Sequence, residues 1–185
     1  LHGIADLIDI NYSDNTDFQE DRMKKEIKRN AWARFCRKFS ANNMFRDINI
    51  SFNDKTRNNV ELSGEYPLMG LTLEKKGRFI DGIILYAGQA APEKLTQPVF
   101  SIKEPEKVVI EKNKDGIDCR LQVQTKNGGF TTIELNGDSG NNRYQDFVRE
   151  VAYSMYERRG FSHGNDMNDW LEAERKVKKA GQMFA

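Results

Sequence analysis

Ile117-Asp118-Cys119-Arg120-Leu121-Gln122-Val123-Gln124 alternates apolar with polar residues over a full strand length. A β-strand sends successive side chains to opposite faces, so this period of two predicts a strand with one dry face and one wet face. The same alternation recurs where Ile48, Ile50 and Phe52 interleave with Asp47, Asn49 and Ser51, and where Met69, Leu71 and Leu73 interleave with Gly70, Thr72 and Glu74. Half-wet strands of this kind belong to antiparallel sheets. Turn chemistry falls between them: Lys75-Lys76-Gly77, a two-residue hairpin signal at Asp115-Gly116, and Asn127-Gly128-Gly129. Regularly spaced short strands joined this way predict a curled antiparallel sheet or partial barrel. The stretch Phe79 to Tyr86 is apolar on both faces, which places it centrally or at a closed corner. Pro67, Pro92, Pro98 and Pro105 are expected where strands begin, break or lie at an edge, because proline cannot donate to a ladder.

Helices flank the strand block. Trp32, Phe35, Cys36 and Phe39 recur at helical spacing, predicting a helix over about 21–40 with one aromatic face and basic residues opposite. After the Asn136 to Asn142 linker, Tyr144, Phe147, Val148, Val151, Ala152 and Met155 form the stripe of a second helix over about 143–159. Gly160 suits a left-handed helix end, with Arg158 and Arg159 in the last turn. A third helix starts at Asn165 or Asp166 with Asp169 in its first turn, and its dry side is expected to be Met167, Trp170, Leu171 and Val177. The fold class is therefore α+β: an antiparallel curled sheet or partial barrel covered by an N-terminal helix, followed by a C-terminal helical hairpin. The expected organisation is an acidic arm over 1–20, a helix-plus-sheet domain over 21–137, and a linker with the hairpin over 138–185.

At 185 residues the chain suits one substantial domain. Net charge is +1 although 31% of residues are charged, so overall charge argues for neither nucleic acid nor an anionic membrane. Locally the charge is segregated. Asp6, Asp9, Asp14, Asp17, Glu20 and Asp21 precede any Lys or Arg; Arg22, Lys24, Lys25, Lys28, Arg29, Arg34, Arg37 and Lys38 follow. This is either a solvated acidic arm before a wet helix face or an arm that folds over the basic helix and masks it. Cys36 and Cys119 fall at apolar positions, which argues against a disulfide framework and fits a reduced, cytoplasmic setting. No apolar run approaches the roughly 18 residues of a membrane span, and Leu1 to Ile10 lacks the basic leader of a signal peptide.

The hairpin carries the most specific residues: Ala152, Tyr153, Tyr156, Arg159, Gly160 and His163, then Asp169, Trp170, Leu171, Ala173 and Glu174. This set resembles a short bacterial family, domain of unknown function 2934, over about 143–178. The resemblance implies a helix-turn-helix-shaped hairpin in the geometric sense and no known activity. Trp32, Phe35, Phe39 and Ser40, with Leu73, Gly77, Ile80 to Ile84, Leu95, Thr96 and Pro98, are similar to a second uncharacterised bacterial family, domain of unknown function 5335. Asn42, Asn43 and Met44 stand where that family has a glycine-containing turn. Neither family supplies a catalytic residue.

Candidate interaction or structural residues are thus Arg159, Gly160, His163, Asp166, Asp169, Trp170 and Glu174. His163 is expected to hydrogen-bond helix-end backbone, since a lone histidine is not a ligand set. Glu174 falls on the apolar stripe and must be paired or reach solvent, with Arg159 or His163 as the expected partner locking the hairpin angle. Trp170 is expected to be a core anchor. No metal-ligand spacing, nucleophile-base arrangement or phosphate loop is present, so no metal or cofactor is expected. The expected role is a non-catalytic binding or regulatory module working through protein contacts with an unknown partner, or as a homodimer. Alternatives are a small hydrolase using Asp81 or Glu61 in the mouth of the sheet, and nucleic-acid binding through Lys24 to Lys38 and Arg175, Lys176, Lys178 and Lys179.

Overall fold

The computed structural model describes residues 22–54, 57–89, 91–137 and 141–184. The acidic arm over 1–20 lies outside the described residues. Strand β1 (Met23–Glu26) and a single 3-10 turn (Arg29–Ala31) lead into α1 (Trp32–Asn43). There follow β2 (Asp47–Asp54), β3 (Arg57–Lys76), β4 (Phe79–Ala87), β5 (Gln97–Lys103), β6 (Pro105–Lys112), β7 (Asp118–Thr125) and β8 (Phe130–Asn136). Helices α2 (Asn141–Arg158) and α3 (Asp166–Gly181) and a 3-10 turn (Gln182–Phe184) complete the described chain. The strands form one antiparallel sheet in the order β1-β6-β7-β8-β2-β3-β4-β5, curled but not closed.

Two corners produce the curl. β3 pairs with β2 through Pro67 and with β4 from Leu68 onward, so it changes partner at the proline. There Leu68 exchanges backbone bonds with Phe45 and Arg46 at 2.7 and 2.8 Å, which supply the ladder that Pro67 interrupts. At the second corner β5 and β6 are separated only by Glu104, whose φ of 47° is the left-handed turn that redirects the strand. Its N–H donates to Asp81 O at 2.8 Å and its carbonyl accepts from Lys126 N at 3.0 Å, drawing the two ends of the sheet together. Strands that bend from one layer to another are how a sheet wraps a core without closing.

The register decides which side chains enter. Ile50 opposes Ile133, and Ile133 opposes Leu121, so apolar rows cross β2, β8 and β7 on one face. Trp32, Cys36 and Phe39 from α1 meet this face together with Leu71, Leu85, Ile102, Val108 and Val123. The helix is tied down by polar bonds. Ser40 Oγ donates to Cys36 O at 2.7 Å and accepts Leu71 N–H at 2.8 Å, beside the bulge between Leu68 and Gly70. Arg46, 3% exposed, donates to Asn43 Oδ1 and to the carbonyls of Asp118, Leu135 and Gly137, joining the end of α1 to β7 and β8.

Three features differ from the sequence reading. The helix expected over 21–40 begins at Trp32; Met23–Glu26 is an edge strand on β6, exposed at all four positions, because its side chains carry no helical apolar stripe to bury. β4 is next to the β5 edge rather than central, so of the two positions expected it takes the corner, where Asp81 O accepts from Glu104 N, and Phe79 is 79% exposed at its start. Asp118 belongs to the interior, because the register shift between Glu111 and Lys112 turns it towards Asn43 Nδ2 at 2.8 Å and Lys112 Nζ at 2.6 Å.

Candidate functional site

The α2–α3 hairpin is seated on the outer face of the β3–β4 corner. Phe45 turns the chain out of α1 with a φ of 67°, and its ring packs between Tyr144 and Phe147 of α2. Around that contact a second core gathers Met69, Leu95, Val148, Val151, Ala173, Val177 and Phe184. At Gly70 an added Cβ would lie 2.4 Å from the Phe184 ring, so the missing side chain is what lets the C-terminus lie on β3.

The turn between the helices is built from backbone outward. Gly160, at φ 68°, donates to Glu157 O at 2.9 Å, and Phe161 N–H reaches Tyr156 O at 3.2 Å. This pair of bonds is the Schellman ending, which satisfies carbonyls that the helix leaves over. Its usual apolar companion is present: the Phe161 ring stands edge-on to Tyr156, centroids 5.4 Å apart. Arg159 then reaches across to α3 and grips both carboxylate oxygens of Asp169 in a two-pronged pair. That bond is the main cause of the Arg159 pKa being raised, helped by the charges of Asp169 and Asp166. Asp169 is 5% exposed, so the pair is set into the helix interface.

The inward face of α3 is Asp169, Ala173, Val177, Ala180 and Gly181. Met167 and Leu171, expected on the dry side, are 70% and 55% exposed. Close approach to α2 selects small residues for the seam, which turns the larger apolar side chains outward. Trp170 packs partly buried against the second core. Glu174 does not hold the lock expected of it: Arg159 is taken by Asp169, and the Glu174 charge instead acts on Tyr144, whose pKa is raised by desolvation first and by Glu174 second.

His163 is exposed and has no bond to helix-end backbone among the described residues. Its ring lies 5.5 Å from that of Tyr156, with the Tyr156 hydroxyl 3.4 Å from either ring nitrogen. Tyr153 extends the row, 6.1 Å from Tyr156. Tyr153 and Phe161 are each about half exposed, so Tyr153, Tyr156, Phe161 and His163 form a continuous aromatic patch on the turn. Tyr153, Tyr156 and His163 belong to the set that marks the hairpin in the sequence, but nothing there joins them with Phe161 into one surface. The usable signal was Tyr153, which falls off the buried stripe of α2.

Beside the patch lies a hollow of about 320 Å³ lined by Pro92, Met155, Arg158, Arg159, Asp169, Glu172 and Lys176. Its charges are met internally: Arg158 by Glu93, Arg159 by Asp169 and Lys176 by Glu172. The Glu93 carboxyl is held below its ordinary range by a bond from its own backbone N–H and then by Arg158. Among the described residues, no three His, Cys, Asp or Glu side chains converge as a metal site would require. Burial pushes the Cys36 thiol up to about 11, the reverse of what a nucleophile needs. Asp81 is half-exposed on β4, and the Glu61 side chain lies outside the described residues.

The basic segment is divided between elements. Lys24 pairs with the buried Glu111 and Glu26 with Lys107, while Arg29 stacks over Trp32 at 4.9 Å and donates to Pro105 O. No helix among the described residues is long and apolar enough to cross a membrane. The family described as a protein of unknown function (DUF2934) matches residues 145–179, within α2 and α3. No curated protein and no solved structure matches the chain.

Proposed function

We propose that the chain is a non-catalytic binding module that holds a protein partner on the aromatic turn between α2 and α3. The observation that carries this is the patch of Tyr153, Tyr156, Phe161 and His163, its rings in contact with one another, with Tyr153 and Phe161 about half exposed and His163 exposed. Aromatic side chains supply large contact areas at small entropic cost and dominate interface energetics. Here they are presented on a backbone already fixed by the Schellman ending and the Arg159–Asp169 pair, so little ordering remains to be done on binding. The matched segment, 145–179, contains this turn.

The test is a pull-down comparing the intact chain with a Tyr153→Ala, Phe161→Ala double variant. The exposed rings contribute little to folding, so melting temperature is expected to stay within a few degrees. Retention of any specific partner is expected to fall at least tenfold. A partner held equally by both proteins would overturn the assignment of the turn.

A further inference from the structure

A second surface, which shares no lining residue with the aromatic turn, lies where α1 and the C-terminal 3-10 turn meet β3. A furrow of about 240 Å³ runs between α1 and the far half of β3, with Leu71, Leu73 and Phe184 in its lining and Met183, 66% exposed, at its edge. Arg37 and Lys75 flank it. Elsewhere on the sheet Lys24, Lys103, Lys107, Lys112 and Arg120 each meet a carboxylate, while Lys25 at the β1 edge meets none among the described residues. Arg37 and Lys75 meet none among the described residues, nor do exposed Arg34 and Lys38 on α1 or Lys76 and Arg78 at the β3–β4 turn. The nearest acidic residue in sequence, Glu74, is spent on Lys103.

We propose that this furrow seats the acidic N-terminal segment of the same chain, residues 4–21. Charge complementarity is the first reason. Asp6, Asp9, Asp14, Asp17, Glu20 and Asp21 arrive with no Lys or Arg among them, so the segment is opposite in sign to the cations at the rim. The second reason is pattern: Ile4, Leu7, Ile8, Ile10 and Phe18 are interspersed with those acids, which suits a furrow with apolar walls and basic rims. The third is reach. The segment joins the fold at Arg22, immediately before β1, and some fifteen extended residues span about 50 Å. A fold of this length has a radius of gyration of about 16 Å, so the tether can bring the acids to the furrow at high effective concentration.

Two measurements on the intact chain decide the matter. Zero-length carbodiimide cross-linking at low protein concentration, read by mass spectrometry, is expected to join acids of 6–21 to Lys75 or Lys76. These links should disappear in about 0.5 M NaCl, where screening acts over less than about 5 Å. Links to Lys24, Lys25 or Lys112 instead, or cross-linked species of twice the mass, would overturn the proposal. Chymotrypsin cleavage at Tyr12 and Phe18 gives the second readout. Arg37→Glu, Lys75→Glu is expected to accelerate it by on the order of tenfold, about what two exposed ion pairs supply. The variant Asp6→Asn, Asp9→Asn, Asp14→Asn, Asp17→Asn changes none of the furrow's own residues and should show the same acceleration. Equal cleavage rates in all three proteins would sink the idea.

Discussion

Inside the curled sheet, α1 buries Trp32 and Phe39 to 1% exposure among branched side chains from β2 through β8, whereas α2 and α3 meet through Val148, Val151, Ala173 and Val177, with Asp169 drawn in beside them. The first core is held by volume: large side chains fill a space that the strands already define. The second is held by closeness, since small residues line the helix seam and the glycines at 70 and 181 leave room for the Phe184 and Met44 side chains. A volume-filled core loses most when a large group is removed, and a close-packed seam loses most when a small group is enlarged.

Trp32→Ala should therefore have the largest effect. It empties the centre of the sheet and removes the bond from the indole N–H to Ile27 O at 2.8 Å, so a loss of about 3–5 kcal/mol is expected in chemical denaturation. A loss below about 1 kcal/mol would mean that the sheet holds together without its plug. Alkaline titration probes the same core. The Cys36 thiol ionises near its ordinary 9.0 in the unfolded chain but only at about 11 when buried, so the native state disfavours the thiolate. Stability from this group is complete below about pH 9 and declines as pH rises from there through about 11, by roughly 2 kcal/mol. Cys36→Ala should lack that part of the alkaline slope, whatever its stability at neutral pH.

The reverse perturbation belongs to the second core. Gly70→Ala places a methyl group against the Phe184 ring, and a cost of about 1–3 kcal/mol is expected by thermal melting. Phe184→Ala in the same chain should recover part of it, since the two nearest atoms belong to that ring while the Cβ at 2.8 Å remains. Full additivity of the two substitutions would show that the C-terminal turn is not pressed on β3.

These two cores were not equally visible in the sequence. Trp32, Cys36 and Phe39 announce α1 because a buried face repeats at the helical period, and the alternation around Ile50 and Leu121 announces strands because each has one wet side. Both signals are local. The corners at Pro67 and Glu104 depend on which strands become neighbours, and β1 carries no alternation at all, so a basic run was joined to the helix that follows it. In the hairpin, hydrophobicity pointed to Met167 and Leu171 as the inward residues, yet the seam took Asp169 and Ala173. Apolar character ranks residues by what they gain in leaving water. A seam between close helices ranks them by size, and an acid becomes acceptable inside once Arg159 is within reach.

The smallest expected effects separate the two acids of α3. Asp169→Asn keeps the shape of the side chain but removes the charge that receives both arms of the Arg159 fork, at a cost of about 1–2 kcal/mol. Glu174→Gln removes a charge that is half-buried beside Tyr144 and makes no ion pair among the described residues, so stability should change by less than about 0.5 kcal/mol. The substitution should also lower the Tyr144 pKa, because the Glu174 charge opposes formation of the phenolate, and this can be followed by ultraviolet titration of the tyrosines. If Glu174→Gln proved the more damaging of the two, the hairpin angle would be set on the Tyr144 side of α3 rather than at the Arg159 turn. The aromatic patch would then sit on a joint free to move.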